Sequence, residues 1–180
     1  MKLVTKRGDT GKTSLIGGQS VFKDDLHLAA CGSIDELSAV LGVCLSFSLP
    51  SPWPEELEEV QRNLFLVAAD LASPEPGPDF YLTANHLELL EERLHPHLQV
   101  LPEPHSFILN GGGPSGAFLH WARTVCRRAE RECVKLKRWA ESEERPFNPS
   151  IIPYMNRLSD YLFAAARLVN LHQGYNEKKV

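Results

Sequence analysis

The sequence predicts an all-α fold: an antiparallel bundle of five helices preceded by an irregular N-terminal loop. Apolar residues recur at intervals of three and four after the loop, as they do on the buried face of a helix. Alternating strand patterns are nearly absent, and segments rich in proline or glycine separate the apolar stretches. A chain of 180 residues with 43% hydrophobic content can bury a core as a single domain. We assign residues 1–25 to the loop and residues 26–175 to the bundle.

The first two helices are predicted between residues 29 and 72. Helix one is expected from about Ala29 to the prolines at 50 and 52, with an apolar stripe of Ile34, Leu37, Val40, Leu41 and Cys44. Helix two is expected over residues 55–72, with a stripe of Leu57, Val60, Leu64, Val67 and Leu71. The prolines at 74, 76 and 78 should stop it, because proline lacks the amide hydrogen that a helix requires.

Three further helices complete the predicted bundle. Thr83 can cap a shorter third helix, which Pro96 is expected to end or kink, with the histidines on either side in an exposed turn. The fourth and fifth helices are long and are predicted over residues 114–143 and 150–173. Gly174 is suited to close the last helix.

Composition and charge limit the function classes. A formal net charge of −4 argues against a general nucleic-acid binder, which usually carries a basic surplus. The four cysteines form no C-x-x-C pair and no signal-peptide pattern opens the chain, so we predict reduced thiols in a cytoplasm. No apolar run approaches the roughly 18 residues that span a bilayer, so a soluble protein with no membrane association is expected.

Residues 5–18 read T-K-R-G-D-T-G-K-T-S-L-I-G-G, with the glycines, lysines and hydroxyls of a phosphate-binding loop. The Walker A pattern G-x-x-x-x-G-K-[ST] would require a glycine at position 6, where this chain has Lys6. A helix should also follow, but Gly17 and Gly18 fall in its first turns, where each costs about 1 kcal/mol relative to alanine. The segment can bind anions, but not as a P-loop.

The predicted fourth helix contains H-W-A-R-T-V-C-R-R-A-E-R-E, residues 120–132. Arg123, Arg127 and Glu130 are spaced four and three apart and share one face, whereas Arg128 points away from it. Two guanidiniums one turn apart can clamp phosphates or carboxylates, because their planar forks bind oxyanions in pairs. A solvated helix face carrying Arg–Glu pairs is the alternative interpretation.

A glycine run precedes that helix in F-I-L-N-G-G-G-P-S, residues 107–115. Three consecutive glycines allow close approach of a neighbour or ligand, and the helix N-terminus that follows favours anions. A tight connection between helices is the alternative. The fifth helix, M-N-R-L-S-D-Y-L-F-A-A-A-R over residues 155–167, has a core stripe and polar residues that could simply tie helices together. These polar residues are Asn156, Arg157, Asp160 and Arg167.

Taken together, these segments resemble the PduO-type ATP:cob(I)alamin adenosyltransferases. The resemblance rests on T-K-R-G-D-T-G-K-T-S, K-D-D before G-S-I-D-E-L-S, F-I-L-N-G-G-G, R-T-V-C-R-R-A-E-R and N-R-L-S-D-Y-L-F, in order over nearly the whole chain. It implies a ferritin-like five-helix bundle assembled as a homotrimer, with active sites at subunit interfaces. It also implies the reaction of cobalamin biosynthesis in which cob(I)alamin attacks the 5′ carbon of ATP, giving adenosylcobalamin and triphosphate.

The resemblance also implies which residues bind ATP. The N-terminal loop would wrap the polyphosphate, a lysine after it would make a further contact, and residues of the fourth and fifth helices would line the nucleotide. These residues are Thr5, Lys6, Gly8, Asp9, Gly11, Lys12, Thr13, Ser14, Lys23, Arg127, Arg128, Glu130, Arg131 and Asn156. A magnesium ion bridging phosphate oxygens is the expected companion, with no dedicated protein metal site.

Catalysis would need little proton chemistry, because Co(I) is itself a strong nucleophile. The protein would align cobalt with the carbon and stabilise the departing triphosphate, for which we choose Arg127. By resemblance, Asp35 and Arg123 would form an inter-subunit salt bridge that shapes the corrinoid pocket. Phe107 would help displace the lower corrinoid ligand, leaving a four-coordinate Co(II) that is easier to reduce; plain core packing is its alternative role.

The sequence departs from many relatives at His27, Leu28, Cys31, Ser38 and Asn110, and we interpret these as tuning of rate or interface. A reductase that supplies Co(I) and an adenosylcobalamin-dependent enzyme are possible protein partners. Two other classes compete with the enzyme: a relative that binds ATP and cobalamin for delivery or sensing without turnover, and a purely structural bundle.

Overall fold

The computed structural model describes residues 6–73, 81–102 and 106–180. Five α-helices occupy these ranges, as the sequence predicts: α1 (Leu26–Leu45), α2 (Trp53–Leu71), α3 (Ala84–Val100), α4 (Pro114–Ser142) and α5 (Ile151–His172). Observed and predicted ends agree within three residues, apart from the ends of α1 and α3: α1 stops at Leu45, before the prolines that were expected to end it. The prolines at 74, 76 and 78, predicted to end the second helix, lie outside the described residues.

The helices pack around a common core, and the most extensive contact between two helices is that of α4 with α5. α1 packs on α2 and α4, and α5 packs on α3 as well as on α4. An Arg93–Glu59 ion pair of 2.9 Å joins α3 to α2 and closes the bundle. Fully buried side chains from every helix except α3 include Leu37, Leu57, Leu119 and Leu158. Each buried leucine contributes about 1.5–3 kcal/mol of transfer free energy, so the core dominates the stability of the fold.

Helix α1 begins three residues before the predicted start because Asp25 caps it. The Asp25 carboxylate accepts a hydrogen bond from the backbone N–H of His27 at 2.9 Å, which satisfies one of the free amides at a helix start. Among the described residues, α1 is the helix long and apolar enough to cross a membrane by length and composition, with a mean hydropathy of 1.6. The expectation that no segment approaches such a span is therefore wrong, although core helices of soluble proteins pass the same test.

Helix α3 continues through Pro96 to Val100, so the prediction of an exposed turn there is wrong. The imidazole of His97 lies 4.4 Å from the ring of Trp53, and its Nε2 lies 3.3 Å from Glu56 Oε2. The Tyr161 hydroxyl donates to the same carboxylate oxygen at 2.6 Å. Burial would raise the pKa of Glu56, but the hydrogen bonds with His97 and Tyr161 outweigh it and lower the pKa. These contacts hold the last turn against α2 and offset the hydrogen bond that proline removes.

The N-terminal segment is more regular than predicted. A 3-10 turn, Arg7–Thr10, is followed by a two-stranded antiparallel hairpin of β1 (Lys12–Ser14) and β2 (Ser20–Phe22). Gly17 and Gly18 form its turn with φ of 95° and 89°, a conformation that favours glycine. The strands are three residues long, too short to show an alternating pattern in the sequence. The backbone N–H of Ile16 donates to the Ala72 carbonyl at 3.0 Å and ties the hairpin to the end of α2.

Candidate functional site

Several polar residues of the N-terminal loop, among them Lys6 and Thr10, are exposed to solvent around the 3-10 turn. Lys6 precedes the turn with φ of 58° and Gly11 follows it with φ of 77°, so both ends are left-handed. Asp9 and Lys12 are exposed, and Thr13 pairs with Val21 across the hairpin. Thr13 lies within β1, and the chain after it turns into the hairpin rather than forming a helix. The segment therefore lacks the helix that a P-loop places behind its phosphates, as the sequence indicated.

The fold brings Lys23 back to this loop. Its backbone N–H donates to the Gly11 carbonyl at 2.9 Å, and a methyl group built at Gly8 would lie 3.0 Å from its Nζ. The Lys12 ammonium lies 4.7 Å from the centre of the Phe22 ring. Lys23 therefore lies close to the predicted ATP-binding residues Gly8, Gly11 and Lys12. Thr5 lies outside the described residues, and Ser14 is exposed at the end of β1.

A second group of predicted residues lines a cleft of about 400 Å³ between α4, α5 and the segment before the glycine run. The cleft is lined by Ser106, Phe107, Ile108, Asn110, Arg123, Arg127, Ser159, Asp160 and Phe163. Two arginines one turn apart therefore share the cleft with the exposed aromatic ring of Phe107. This places three of the four predicted catalytic residues together; the fourth, Asp35, does not line it.

Arg123 is the partly buried member of the arginine pair, whereas Arg127 is exposed. The Arg123 Nη2 donates to Asn110 Oδ1 at 3.1 Å, and its guanidinium lies 5.7 Å from the centre of the Phe163 ring. Its buried Nε has no hydrogen-bond partner among the described residues. Burial, with the nearby Arg127 charge as a second cause, lowers the pKa of Arg123. An oxygen atom of a ligand or of another chain that reached this nitrogen could accept the hydrogen bond that Nε does not make among the described residues.

Arg127 is exposed at the cleft and makes no ion pair with any described residue. Arg128 points away from the cleft, as the spacing predicted, and forms an ion pair with Glu36 that joins α4 to α1. Asn156 donates to Glu130 at 3.4 Å, while Arg131 is exposed. The alternative of a face laced with Arg–Glu pairs therefore describes Arg128 but not Arg127. The ATP-binding roles of these residues stay predictions.

Asp35 lies exposed on α1 and forms no ion pair with a described residue. Within this chain it is not bonded to Arg123, whose partner is Asn110. The predicted contact between Asp35 and Arg123 was one between subunits, and it stays a prediction.

The ring of Phe107 is 87% exposed, so the alternative of core packing is wrong for this chain. Its carbonyl accepts a hydrogen bond from the backbone N–H of Val180 at 3.0 Å. An exposed aromatic side chain at the rim of a cleft with arginines is available to contact a ligand or another chain.

The glycine run packs against a side chain that the sequence analysis missed. Asn170 of α5 accepts from the Gly113 N–H at 3.0 Å and donates to the Gly111 carbonyl at 2.8 Å. A methyl group at Gly112 or Gly116 would lie within 2.2 Å of the Asn170 amide. The run therefore follows the alternative of a tight connection: it lets α4 begin directly against α5. The available signal was an asparagine among apolar neighbours near the end of a helix rich in apolar residues.

Replacing Gly116 with alanine is expected to lower the free energy of unfolding by about 1–3 kcal/mol, because the methyl group meets the Asn170 amide in a buried site. Gly32→Ala is the matched control, since nothing lies within 4 Å of a Cβ built there in α1. Urea unfolding measures both variants. Equal stability of the two would contradict the close packing of Gly116 on Asn170.

Four of the five positions that depart from many relatives make local contacts here: His27, Cys31, Ser38 and Asn110. His27 contacts Asp25 at 2.8 Å and packs edge-on against Trp139. The Cys31 thiol donates to the Ala68 carbonyl at 3.3 Å, and burial raises its pKa to about 11, which keeps it protonated. The Ser38 carbonyl accepts from Gln61, and Asn110 accepts from Arg123. Among the described residues, no group of three or more His, Cys, Asp or Glu could hold a metal ion.

Comparison with known proteins identifies the chain's relatives. The family described as cobalamin adenosyltransferase matches residues 3–169. The chain is 41% identical to the corrinoid adenosyltransferase of Bacillus subtilis, over 98% of this chain and 91% of that protein. It is 36% identical to the corrinoid adenosyltransferase MMAB of Bos taurus, over 98% and 75%. A variant PduO-type ATP:corrinoid adenosyltransferase from Lactobacillus reuteri, solved with cobalamin and ATP, matches with a TM-score of 0.90 and 38% identity, covering 99% of each chain.

Proposed function

Because this chain belongs to the cobalamin adenosyltransferase family, we propose that it transfers the 5′-deoxyadenosyl group of ATP to cob(I)alamin and releases triphosphate. The observation that carries the proposal is the cleft in which exposed Phe107 lies beside Arg123 and Arg127. The ring offers an apolar surface to a corrinoid, and the guanidiniums offer positive charge to a polyphosphate.

The reaction balances without a protein base. The electron pair of Co(I) forms the bond to the 5′ carbon, and the carbon–oxygen bond breaks with its electrons going to triphosphate. The protein therefore holds cobalt, carbon and leaving oxygen in line and stabilises the charge that develops on that oxygen. Arg127 is suited to this second task, because it is exposed at the cleft and has no carboxylate partner among the described residues.

The nucleotide is held from two sides in this proposal. Lys6, Lys12 and Lys23, with the backbone around Gly8 and Gly11, contact the phosphates from the N-terminal loop. Residues of α4 and α5 contact the nucleotide from the bundle. Mg²⁺ usually keeps several waters and binds substrate phosphates with one or two carboxylates, and the exposed Asp9 supplies such a group in the loop. The donor set thus fits a magnesium ion that arrives with ATP.

The active assembly is proposed to be a homotrimer with one site at each subunit interface, in the cytoplasm. The exposure of Asp35 and the spare donor on Arg123 support a contact between chains, because neither side chain finds a charged partner among the described residues. A separate reductase would supply Co(I), and an adenosylcobalamin-dependent enzyme would receive the product.

Mixing two impaired variants tests the shared site. Asp35→Ala and Arg123→Ala should each lose activity, whereas co-expression at equal amounts should restore about one quarter of the sites in a head-to-tail trimer. Restoration follows because some interfaces combine an intact Asp35 with an intact Arg123. Activity no higher than the average of the two variants would place both residues in one chain's site.

The function itself is tested by adding Mg-ATP to chemically reduced cobalamin. The proposal predicts a light-sensitive Co–C product together with triphosphate. Binding of both substrates without product would favour the delivery or sensing alternative. Absence of ATP binding would favour a purely structural bundle.

A further inference from the structure

The last residues of the chain, 175–180, run back along the segment that carries Phe107; we call them the C-terminal segment. The N–H of Leu109 donates to the Lys178 carbonyl at 2.8 Å, and the N–H of Val180 donates to the Phe107 carbonyl at 3.0 Å. Ile108 and Lys179 are opposite each other in this antiparallel bridge. The backbone on both sides of Ile108 is therefore bonded to the C-terminal segment.

Glu177 anchors the C-terminal segment to the bundle. Arg167 of α5 is only 4% exposed, and its Nε and Nη2 donate to the two oxygens of Glu177 at 2.5 and 3.1 Å. The same Nη2 donates to the Pro102 carbonyl at 2.9 Å. This paired geometry is the strong form of an arginine–carboxylate contact, and a buried arginine needs such a partner.

Apolar packing contributes little to holding the C-terminal segment in place. A cavity of about 440 Å³ lies between it and the glycine run, lined in part by His120, Asn170 and Glu177. Tyr175 is the exception, since its ring contacts Gly113 so closely that a methyl group there would lie 2.2 Å away. Hydrogen bonds and the Arg167–Glu177 ion pair must therefore fix residues 177–180.

Arg167 also reaches the cleft through Phe163. Its guanidinium lies 5.6 Å from the centre of the Phe163 ring, and the Arg123 guanidinium lies 5.7 Å from the same centre. Phe163 lines the cleft together with Phe107 and Arg127. One buried arginine thus orders both the wall of the cleft and the C-terminal segment at its rim.

We propose that Glu177 is a positioning residue for adenosyl transfer, which fixes the C-terminal segment and through it the backbone that presents Phe107 at the cleft. The inference rests on the proposed function. Phe107 needs this support because its ring is 87% exposed and has no core around it. A displacement of about 1 Å at a positioning group can cost a hundredfold in rate.

The backbone link is tested with Val180→Pro and its matched control Val180→Ala. Both replace the branched side chain of valine, but only proline removes the N–H that donates to the Phe107 carbonyl. Val180→Pro should lower product formation from Co(II)alamin about tenfold, with the KM for ATP changed less than twofold. It should also accelerate hydrogen exchange at the Leu109 amide. Val180→Ala should behave as the wild type in all three measurements.

The ion pair is tested with Glu177→Gln, which keeps the shape but removes the charge. Expected results are a higher KM for cobalamin, an unchanged KM for ATP and partial recovery in Glu177→Asp. Glu141→Gln is the matched control, because it removes an exposed pair with Lys137 on α4. Melting curves of each variant show whether the change is confined to the rim of the cleft. Global unfolding of Glu177→Gln would lower activity equally with respect to both substrates. That result would contradict a positioning role.

The outcomes separate the inference from the function on which it rests. The first case is a wild type that turns over normally with Co(I). If Val180→Pro and Val180→Ala then show equal turnover, although the Leu109 amide exchanges faster in Val180→Pro, the positioning role alone is overturned. Absence of product from the wild type would reject the proposed function and the inference together.

Discussion

Replacing Arg127 with alanine is expected to lower turnover at saturating ATP by a factor of about a hundred or more, as loss of a charge partner to a leaving group commonly does. The side chain lies exposed at the cleft without an ion-pair partner among the described residues, so its charge is free to meet triphosphate. Single-turnover kinetics with pre-reduced cobalamin isolate the transfer step from reduction.

The matched control is Arg138→Ala, which removes an exposed arginine of the same helix, away from the cleft. Arg138→Ala should retain near-normal turnover, whereas Arg127→Lys should recover only part of the loss, because lysine lacks the planar fork. Near-normal turnover in Arg127→Ala at saturating ATP would show that the leaving-group role is wrong.

Replacing Phe107 with alanine is expected to separate the two substrates. Product formation from Co(II)alamin should fall by at least about tenfold, because the ring no longer occupies the space of the lower ligand or keeps water from the cobalt. With pre-reduced Co(I), which holds that ligand weakly, the loss should be smaller. The affinity for ATP should stay within a few-fold, since the ring carries no charge and no hydrogen-bonding group.

Exposure of the ring makes this experiment easy to interpret. Truncating an 87% exposed side chain leaves no cavity, and such surface changes usually alter the free energy of unfolding by less than about 0.5 kcal/mol. Calorimetry with ATP and product formation from both cobalt states are the measurements. An equal loss from both states, together with weakened ATP binding, would mean that Phe107 acts on the structure of the cleft rather than on the corrinoid.

The five helices could be predicted because their burial follows the 3.6-residue period. Leu37, Leu57, Leu119 and Leu158 have essentially no exposed surface in the structure, and each stands on an apolar stripe of its helix. The end of α3 could not be predicted, because the contacts of His97 with Trp53 and Glu56 join residues about 40 positions apart. Local rules at Pro96 carry no information about such contacts.

The arginine cleft was predictable in part. Helical spacing placed Arg123 and Arg127 on one face and turned Arg128 away, and the structure agrees. The partners of that face were not predictable: Asn110, Phe163 and Asn170 reach the cleft or the glycine run from other elements. The resemblance, rather than periodicity, singled out Phe107 and Asp35. A contact between Asp35 of one chain and Arg123 of another cannot be derived from a sequence pattern or from the fold of a single chain.

The central claim is that this chain moves the 5′ carbon of ATP onto cobalt. ATP labelled with carbon-13 at C5′, incubated with the protein, magnesium and chemically reduced cobalamin in the dark, tests it most directly. We predict that the labelled carbon appears bonded to cobalt and that one triphosphate is released for each labelled cobalamin. Label remaining in ATP, or recovered in a nucleotide with release of orthophosphate or diphosphate, would contradict the account.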